Sequence, residues 1–220
     1  MKRVRLIRHA ESAANAGLAT TAPDSIPLTE NGHLQAQASA DSIMFAPDLI
    51  ISSPFDRAIA TALPTTERFP QVPFEIWPVE EFTYLNPNRF VGSTQADRKP
   101  HAENYWAKGD AEFTDGSVAE SFDHLLARAG AMLSKLADSN AQNILVYSHG
   151  QFIRSAAWLI KHGSYARSYE LTREFRALDV REPFRNCWSY QLVLGDGRWT
   201  VECQVDSSGQ ERFIDDFCTS

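Results

Sequence analysis

Two stretches of this chain run from apolar residues straight into a histidine. Val4-Arg5-Leu6-Ile7 leads into Arg8-His9-Ala10-Glu11-Ser12, and Asn143-Ile144-Leu145-Val146-Tyr147 leads into Ser148-His149-Gly150. A third apolar run, Leu49-Ile50-Ile51, ends in Ser52-Ser53-Pro54, with Arg57 just beyond. The chemistry these residues suit is phosphoryl transfer. Phosphoryl oxygens need fixed cationic donors in a dry pocket. Arginine's planar fork is always charged and bonds oxygens in pairs, and Arg8 and Arg57 supply two such forks. A neutral imidazole attacks phosphorus at neutral pH, which gives His9 the role of nucleophile and a phosphohistidine intermediate. His149 brings a second imidazole, with a helix opening behind it at Gly150 and Gln151 whose free N–H groups favour an anion. The departing alkoxide needs a proton. Glu81 follows a strand directly and precedes an irregular region able to close over a substrate, with Glu80 as its neighbouring rival. Beside a phosphate dianion such a carboxyl should titrate high, and its help as a general acid is worth ~10²–10⁴-fold.

These side chains meet only if their strands are neighbours. In open α/β sheets the ligand sits beyond the carboxyl ends of the strands, so the His9 and His149 strands are expected side by side. Thr29 can cap a helix from Glu30 to Phe45, with Leu34, Ala38 and Ile43 near one face and Gly32 costing little in the first turn. Phe55 to Leu63 reads as a helix entered through Pro54 and ended or kinked at Pro64. Phe74 to Val79 reads as a strand near an edge because of its prolines. Residues 83–118 are the least regular part, a lid or specificity insertion with a short helix around His101 to Lys108. Glu120 to Leu136 is amphipathic, with Phe122, Leu125, Leu126, Ala129, Leu133 and Leu136 on one face. Gln151 to Lys161 and Tyr165 to Leu178 follow as helices, and Ser189 to Leu194 with Arg198 to Cys203 as a hairpin around Gly195-Asp196-Gly197. Alternating apolar strands and helices predict a single α/β domain over 1–220, three-layered α/β/α, with a mostly parallel central sheet.

The bulk composition narrows the partners. A length of 220 residues with 43% hydrophobic residues can bury a full core. The net charge of -7 argues against nucleic acid and anionic membranes. Any anion site must therefore gather its cations locally. Cys187, Cys203 and Cys218 form neither a C-x-x-C pair nor a disulfide framework, so reduced thiols and a cytoplasmic location are expected. Neither a signal peptide nor a membrane-spanning run is expected.

Leu6-Ile7-Arg8-His9-Ala10-Glu11-Ser12, with Asn15 beyond, resembles the signature of the histidine phosphatase superfamily, the phosphoglycerate-mutase-like group. Pro27-Leu28-Thr29 with Gly32 and Gln35 is similar to its first-helix opening. Ser52-Ser53-Pro54 with Arg57-Ala58 and Thr61-Ala62 is similar to its second arginine motif. Val79-Glu80-Glu81 resembles the segment carrying the acid, and Glu120-Ser121-Phe122 its Gly-Glu-Ser segment, with Ala119 in the glycine's place. Ser148-His149-Gly150 with Ile153-Arg154 resembles the second histidine motif. The resemblance implies a metal-independent histidine phosphatase of the acid type, with no cofactor. His9 would be the phosphorylated nucleophile, Arg8, Arg57 and His149 the phosphoryl ligands and Glu81 the proton donor. Ser12 and Asn15, with Gly150 and Gln151, would contribute to substrate binding. Two departures stand out: Ala10 follows the nucleophile where glycine is common, and Phe82-Thr83-Tyr84-Leu85-Asn86-Pro87 replaces the Gly-x-Trp-Glu-Gly run. That run shapes substrate choice.

The expected activity is hydrolysis of a phosphate monoester, on a small phosphorylated metabolite or a phosphoprotein. The alternatives are a phosphoglycerate mutase and a non-catalytic module that binds a phospho-ligand. The sequence leaves the substrate and the oligomeric state open. His33, His101, His124 and His162 read as helix-surface residues. His101 with Arg89, Arg98 and Lys99 is either a contact for a second anionic group or a solvated loop. Trp77, Trp158, Trp188 and Trp199 read as core, and Trp106 as either core or ligand contact.

Overall fold

The computed structural model describes residues 1–212, so Cys218 lies outside the described residues. Seven strands form one sheet among these residues: β1 (Lys2–Arg8), β2 (Leu49–Ser52), β3 (Phe74–Ile76), β4 (Asn143–Ser148), β5 (Ser189–Gly195), β6 (Arg198–Val205) and β7 (Glu211–Arg212). Their order is β3-β2-β4-β1-β5-β6-β7. β3, β2, β4 and β1 run parallel, and β5, β6 and β7 extend the sheet antiparallel. The helices are α1 (Glu30–Asp41), α2 (Asp56–Arg68), α3 (Gln95–Ala107), α4 (Phe122–Asp138), α5 (Gly150–His162) and α6 (Tyr169–Arg181), with short 3-10 turns at Pro87–Arg89 and Gly163–Arg167.

Successive strand side chains point to opposite faces, and the sequence exploits this. Val4, Leu6, Leu49, Ile51, Ile144 and Val146 enter the larger core with residues of α4, α5 and α6. Ile7, Ile50, Leu145 and Tyr147 enter a second core with Ile43 and Ala62, on the side of α2. Helices cover both faces, giving the three-layered α/β architecture expected. β1 and β4 are neighbours as required, with Arg8 paired in register with Ser148.

Several local expectations change. α1 buries Gly32, Ala36, Ser39 and Ala40, while Leu34 is 71% exposed. The cause is close approach. A Cβ on Gly32 would stand 2.0 Å from the Glu11 carbonyl oxygen, so only the smallest residues fit the face against the loop after His9. α1 also stops at Asp41 rather than Phe45. α2 runs through Pro64 to Arg68, held by buried Ala62 and by Thr65, whose hydroxyl lies 2.6 Å from that of Tyr147. β3 ends at Ile76 and is the sheet's edge. Within 83–118, α3 starts earlier and is longer than expected. A Thr94/Asp97 capping box and buried Ala102, Tyr105 and Trp106 sustain it despite Pro100. The expected helix at Tyr165 divides at Ser168, which caps α6. The hairpin forms as expected, with Asp196 and Gly197 at φ 51 and 73, the left-handed pair that a tight primed turn needs. Trp77 and Trp158 are buried, Trp188 and Trp199 pack partly buried against the core, and Trp106 belongs to the core. Cys187 and Cys203 are buried. Among the described residues no helix is long and apolar enough to cross a membrane.

Candidate active site

Arg8 at the end of β1, Phe55 and Arg57 just beyond β2 and Gly150 just beyond β4 line one cavity of about 660 Å³, and His9 reaches it through its bond to Arg57. Arg8 is the last residue of β1, and His9 follows it into a loop gripped from several directions. The His9 amide donates to the Ser148 carbonyl at 2.9 Å, and the Ala10 amide to Thr61 Oγ1 of α2 at 2.9 Å. The Glu11 amide donates to Gln35 Oε1 at 2.9 Å, and Thr29 Oγ1, capping α1, donates to Glu11 Oε1 at 2.6 Å. Thr29, Gly32, Gln35 and Thr61 thus act together: each fixes the backbone that aims His9.

His9 is 3% exposed. Its Nδ1 lies 2.7 Å from the Ala10 carbonyl oxygen, and Arg57 Nε donates to its Nε2 at 3.2 Å. A carbonyl on one nitrogen and an N–H donor on the other define the neutral tautomer with its proton on Nδ1. Burial, then the charges of Arg57 and Arg8, hold the His9 pKa well below its usual value. Nε2 therefore carries the lone pair that a nucleophile needs, engaged here by the Arg57 Nε–H. Arg57, in the first turn of α2, is itself buried, and desolvation lowers its pKa to about 10.

His149 stands at the cap of α5, its ring centroid 5.2 Å from that of His9. Its Nε2 lies 2.9 Å from Ser53 Oγ, and its buried Nδ1 has no protein partner. Burial first, then Arg57, keeps it neutral by lowering its pKa well below the usual value. Arg8 is anchored on the Phe184 carbonyl oxygen, and its buried Nε has no protein partner. The unpartnered Nε of Arg8 and Nδ1 of His149, at the ends of adjacent strands, are what an incoming oxyanion would satisfy.

The Val79–Glu81 segment is placed by Ser148 Oγ, which donates to the Val79 carbonyl at 2.6 Å. From there the two glutamates part. The Glu80 carboxylate pairs with Arg128 at 3.3 Å and does not line the cavity. Glu81 lines the cavity with Arg8 and Arg57, and Oε1 accepts the Phe82 amide at 3.0 Å. Desolvation raises its pKa against the opposing pull of that amide and of the two arginines. Gly150 and Gln151 line the cavity as well. Ser12 and Asn15 do not. Asn15 Oδ1 is occupied by the Ser12 amide at 3.2 Å, the Ser12 hydroxyl at 3.1 Å and Asn186 Nδ2 at 3.1 Å.

Sequence reading missed the groups that come from α6 and beyond. Asn186 Nδ2 donates to the His9 carbonyl at 2.9 Å. Asp179 and Arg176 line the cavity, as does Phe184. No motif announces them. The one usable signal was the three-residue spacing of Arg176 and Asp179, which places both on one face of a helix. Insertion 83–118 forms a wall of the cavity through Tyr84, Phe90, Arg98 and Lys99, while Arg89 turns to Asp115 at 2.6 Å. His33, His101 and His124 are exposed, and His162 is partly buried against Trp158.

The family model described as the histidine phosphatase superfamily (branch 1) matches residues 4–205. The chain belongs to that superfamily. Among solved structures, a mycobacterial glucosyl-3-phosphoglycerate phosphatase is similar at TM-score 0.71 and 22% identity, covering 91% of this chain and 97% of that one. A phosphoserine phosphatase from Entamoeba histolytica, in complex with 3-phosphoglyceric acid, is similar at TM-score 0.70 and 21% identity, covering 93% and 96%. An alpha-ribazole phosphatase from Shigella flexneri is similar at TM-score 0.69 and 23% identity, covering 91% and 94%. No curated protein sequence matches the chain.

Proposed function

We propose that this protein is a phosphomonoesterase acting through phospho-His9. The observation that carries the reading is a pair of opposed states linked through Arg57, which donates to His9 and lines the cavity with Glu81. His9 is a buried imidazole held neutral, and Glu81 is a buried carboxyl held toward its protonated form. Two titratable groups pushed in opposite directions supply a nucleophile and an acid at one pH.

In this reading the phosphoryl oxygens bind Arg8, Arg57, His149 and the first N–H groups of α5. Arg57 cannot serve phosphate and His9 Nε2 with the same N–H. Its transfer to the phosphoryl group breaks the 3.2 Å bond to His9 and frees the lone pair for attack. His9 Nε2 then forms a bond to phosphorus as the ester P–O bond breaks, and Glu81 gives its proton to the leaving oxygen. The Nδ1–H stays on the Ala10 carbonyl and spreads the positive charge of the phosphorylated ring. In the second half, the Glu81 carboxylate takes a proton from water, and hydroxide displaces His9 to give inorganic phosphate. Ser12, Asn15 and Asn186 position the loop from behind. The reaction needs no metal and no cofactor, and the substrate is a phosphorylated small molecule or protein side chain.

The test is phosphate release from p-nitrophenyl phosphate by wild type and His9→Ala, with quenched wild-type samples assayed for acid-labile phosphohistidine. Release that depends on His9, with a trapped phosphoenzyme, is expected. Release that persists in His9→Ala removes the nucleophile assignment.

A further inference from the structure

The cavity holds more positive charge than one phosphoryl group needs. Arg98, Lys99 and Arg176 join Arg8 and Arg57 in its lining, against Glu81 and Asp179, in a chain whose net charge is -7. Its volume of about 660 Å³ is that of a site for a whole small molecule, phosphate and leaving group together.

Arg176 is the built part of this excess. Asp179 Oδ1 accepts Arg154 Nη1 at 2.8 Å, while Oδ2 accepts Gln151 Nε2 at 2.9 Å and Arg176 Nη1 at 3.2 Å. One carboxylate between two guanidiniums leaves a positive charge over. Arg154 cannot present it, being 2% exposed and tied also to the Glu182 carbonyl oxygen. Arg176, with a side chain 25% exposed, lines the cavity. Its guanidinium also lies over the buried Trp106 ring, 5.6 Å from the centroid. Held by a carboxylate on one side and an indole on another, it loses little freedom on meeting a ligand. The other two cations are less settled: Lys99 is exposed on α3, and Arg98 spends Nη1 on the Ser93 carbonyl and hydroxyl, both at 2.9 Å.

We propose that Arg176 is a specificity-determining residue. It receives a carboxylate-class anionic group on the leaving-group portion of the substrate while the phosphoryl group occupies Arg8, Arg57 and the histidines. The inference rests on the phosphomonoesterase reading for the identity of the ligand's other end. It assigns a doubly anionic ligand, a phosphomonoester that also carries a carboxylate.

A matched pair of esters tests it: 4-carboxyphenyl phosphate and 4-carbamoylphenyl phosphate share the ring and phosphoryl group and differ by one charge. Calorimetric binding to His9→Ala protein should favour the carboxylate ester by about tenfold, as expected of one hydrogen bond to a charged partner. The ratio should fall to about one in His9→Ala/Arg176→Gln and be partly kept in His9→Ala/Arg176→Lys, which retains the charge but not the fork. The ratio of kcat/KM for the two esters in proteins retaining His9 should move in parallel. A ratio near one in the parent protein overturns the proposal. So does failure of both esters to bind, a preference that survives Arg176→Gln, or one abolished by Lys99→Gln instead. Binding with the expected preference but no turnover would sustain this inference and remove the phosphomonoesterase reading. Turnover of both esters at equal kcat/KM would do the reverse.

Discussion

The tautomer of His9 follows from two contacts, and the proposed chemistry depends on it. Nδ1–H is committed to the Ala10 carbonyl, so attack can come only from Nε2, and that atom is covered by Arg57 until an anion draws the guanidinium away. Replacing Arg57 with Ala should therefore cost turnover through lost transition-state contacts, lowering kcat by roughly a hundredfold or more, as for removal of other oxyanion donors. Rapid-quench measurement of phosphohistidine formation would register this. Glu81→Gln gives a different signature. It should slow alkyl phosphates far more than p-nitrophenyl phosphate, whose leaving group needs no proton, by the ~10²–10⁴-fold that general acid help is worth. Equal slowing of both substrates would contradict the acid role. In wild type, kcat/KM should fall as pH rises through the raised pKa of Glu81, above its ordinary value of 4.5, because the proton donor is lost. That limb should be missing from the Glu81→Gln profile.

At the level of elements, the site depends on how closely α1 approaches the loop after His9. Thr29 donates its amide and its hydroxyl to Glu11 where Gly32 has room for no Cβ. Gly32→Ala should destabilise the fold by ~1–3 kcal/mol through overpacking and lower turnover through displacement of His9. Urea melts and kcat measured on the same protein check both effects, and a neutral outcome in both would mean that α1 can shift freely. This constraint was only half legible. Thr29, Gly32 and Gln35 stood out in the sequence as a motif, yet the glycine read as merely inexpensive, since nothing local says which backbone lies opposite. The same limit explains α1's wrongly placed apolar face and the helices that continue through Pro64 and Pro100. In each case burial against a distant partner outweighs local propensity.

Across the whole molecule, two neutral histidines buried at the carboxyl ends of the strands tie stability to pH. The unfolded chain protonates them as pH falls through their ordinary value of 6.5, and the native state, with both pKa values well below that, does not. Below that pH the unfolded state binds more protons, so stability must decline as pH falls. Glu81 acts in the opposite sense, holding a proton in the native state over the window above 4.5, and offsets part of the decline. Urea titrations from pH 7 to 5 should show the loss, and His149→Gln should flatten it. Activity should survive chelators if, as proposed, arginines and imidazoles meet the phosphoryl charge; inactivation by EDTA that added metal reverses would contradict this. The sequence by itself determined the order of strands and helices and the residues at the strand ends. Apolar periodicity and an abrupt change to Arg-His are local signals, readable without knowing what lies across the sheet. Only the tertiary structure decided which glutamate enters the cavity. The backbone of Val79–Glu81 is pinned by Ser148, and Arg128 draws Glu80 aside. It alone brought Asn186, Asp179 and Arg176 to the site, because contacts between residues more than a hundred positions from His9 arise from packing and leave no spacing in the chain to read.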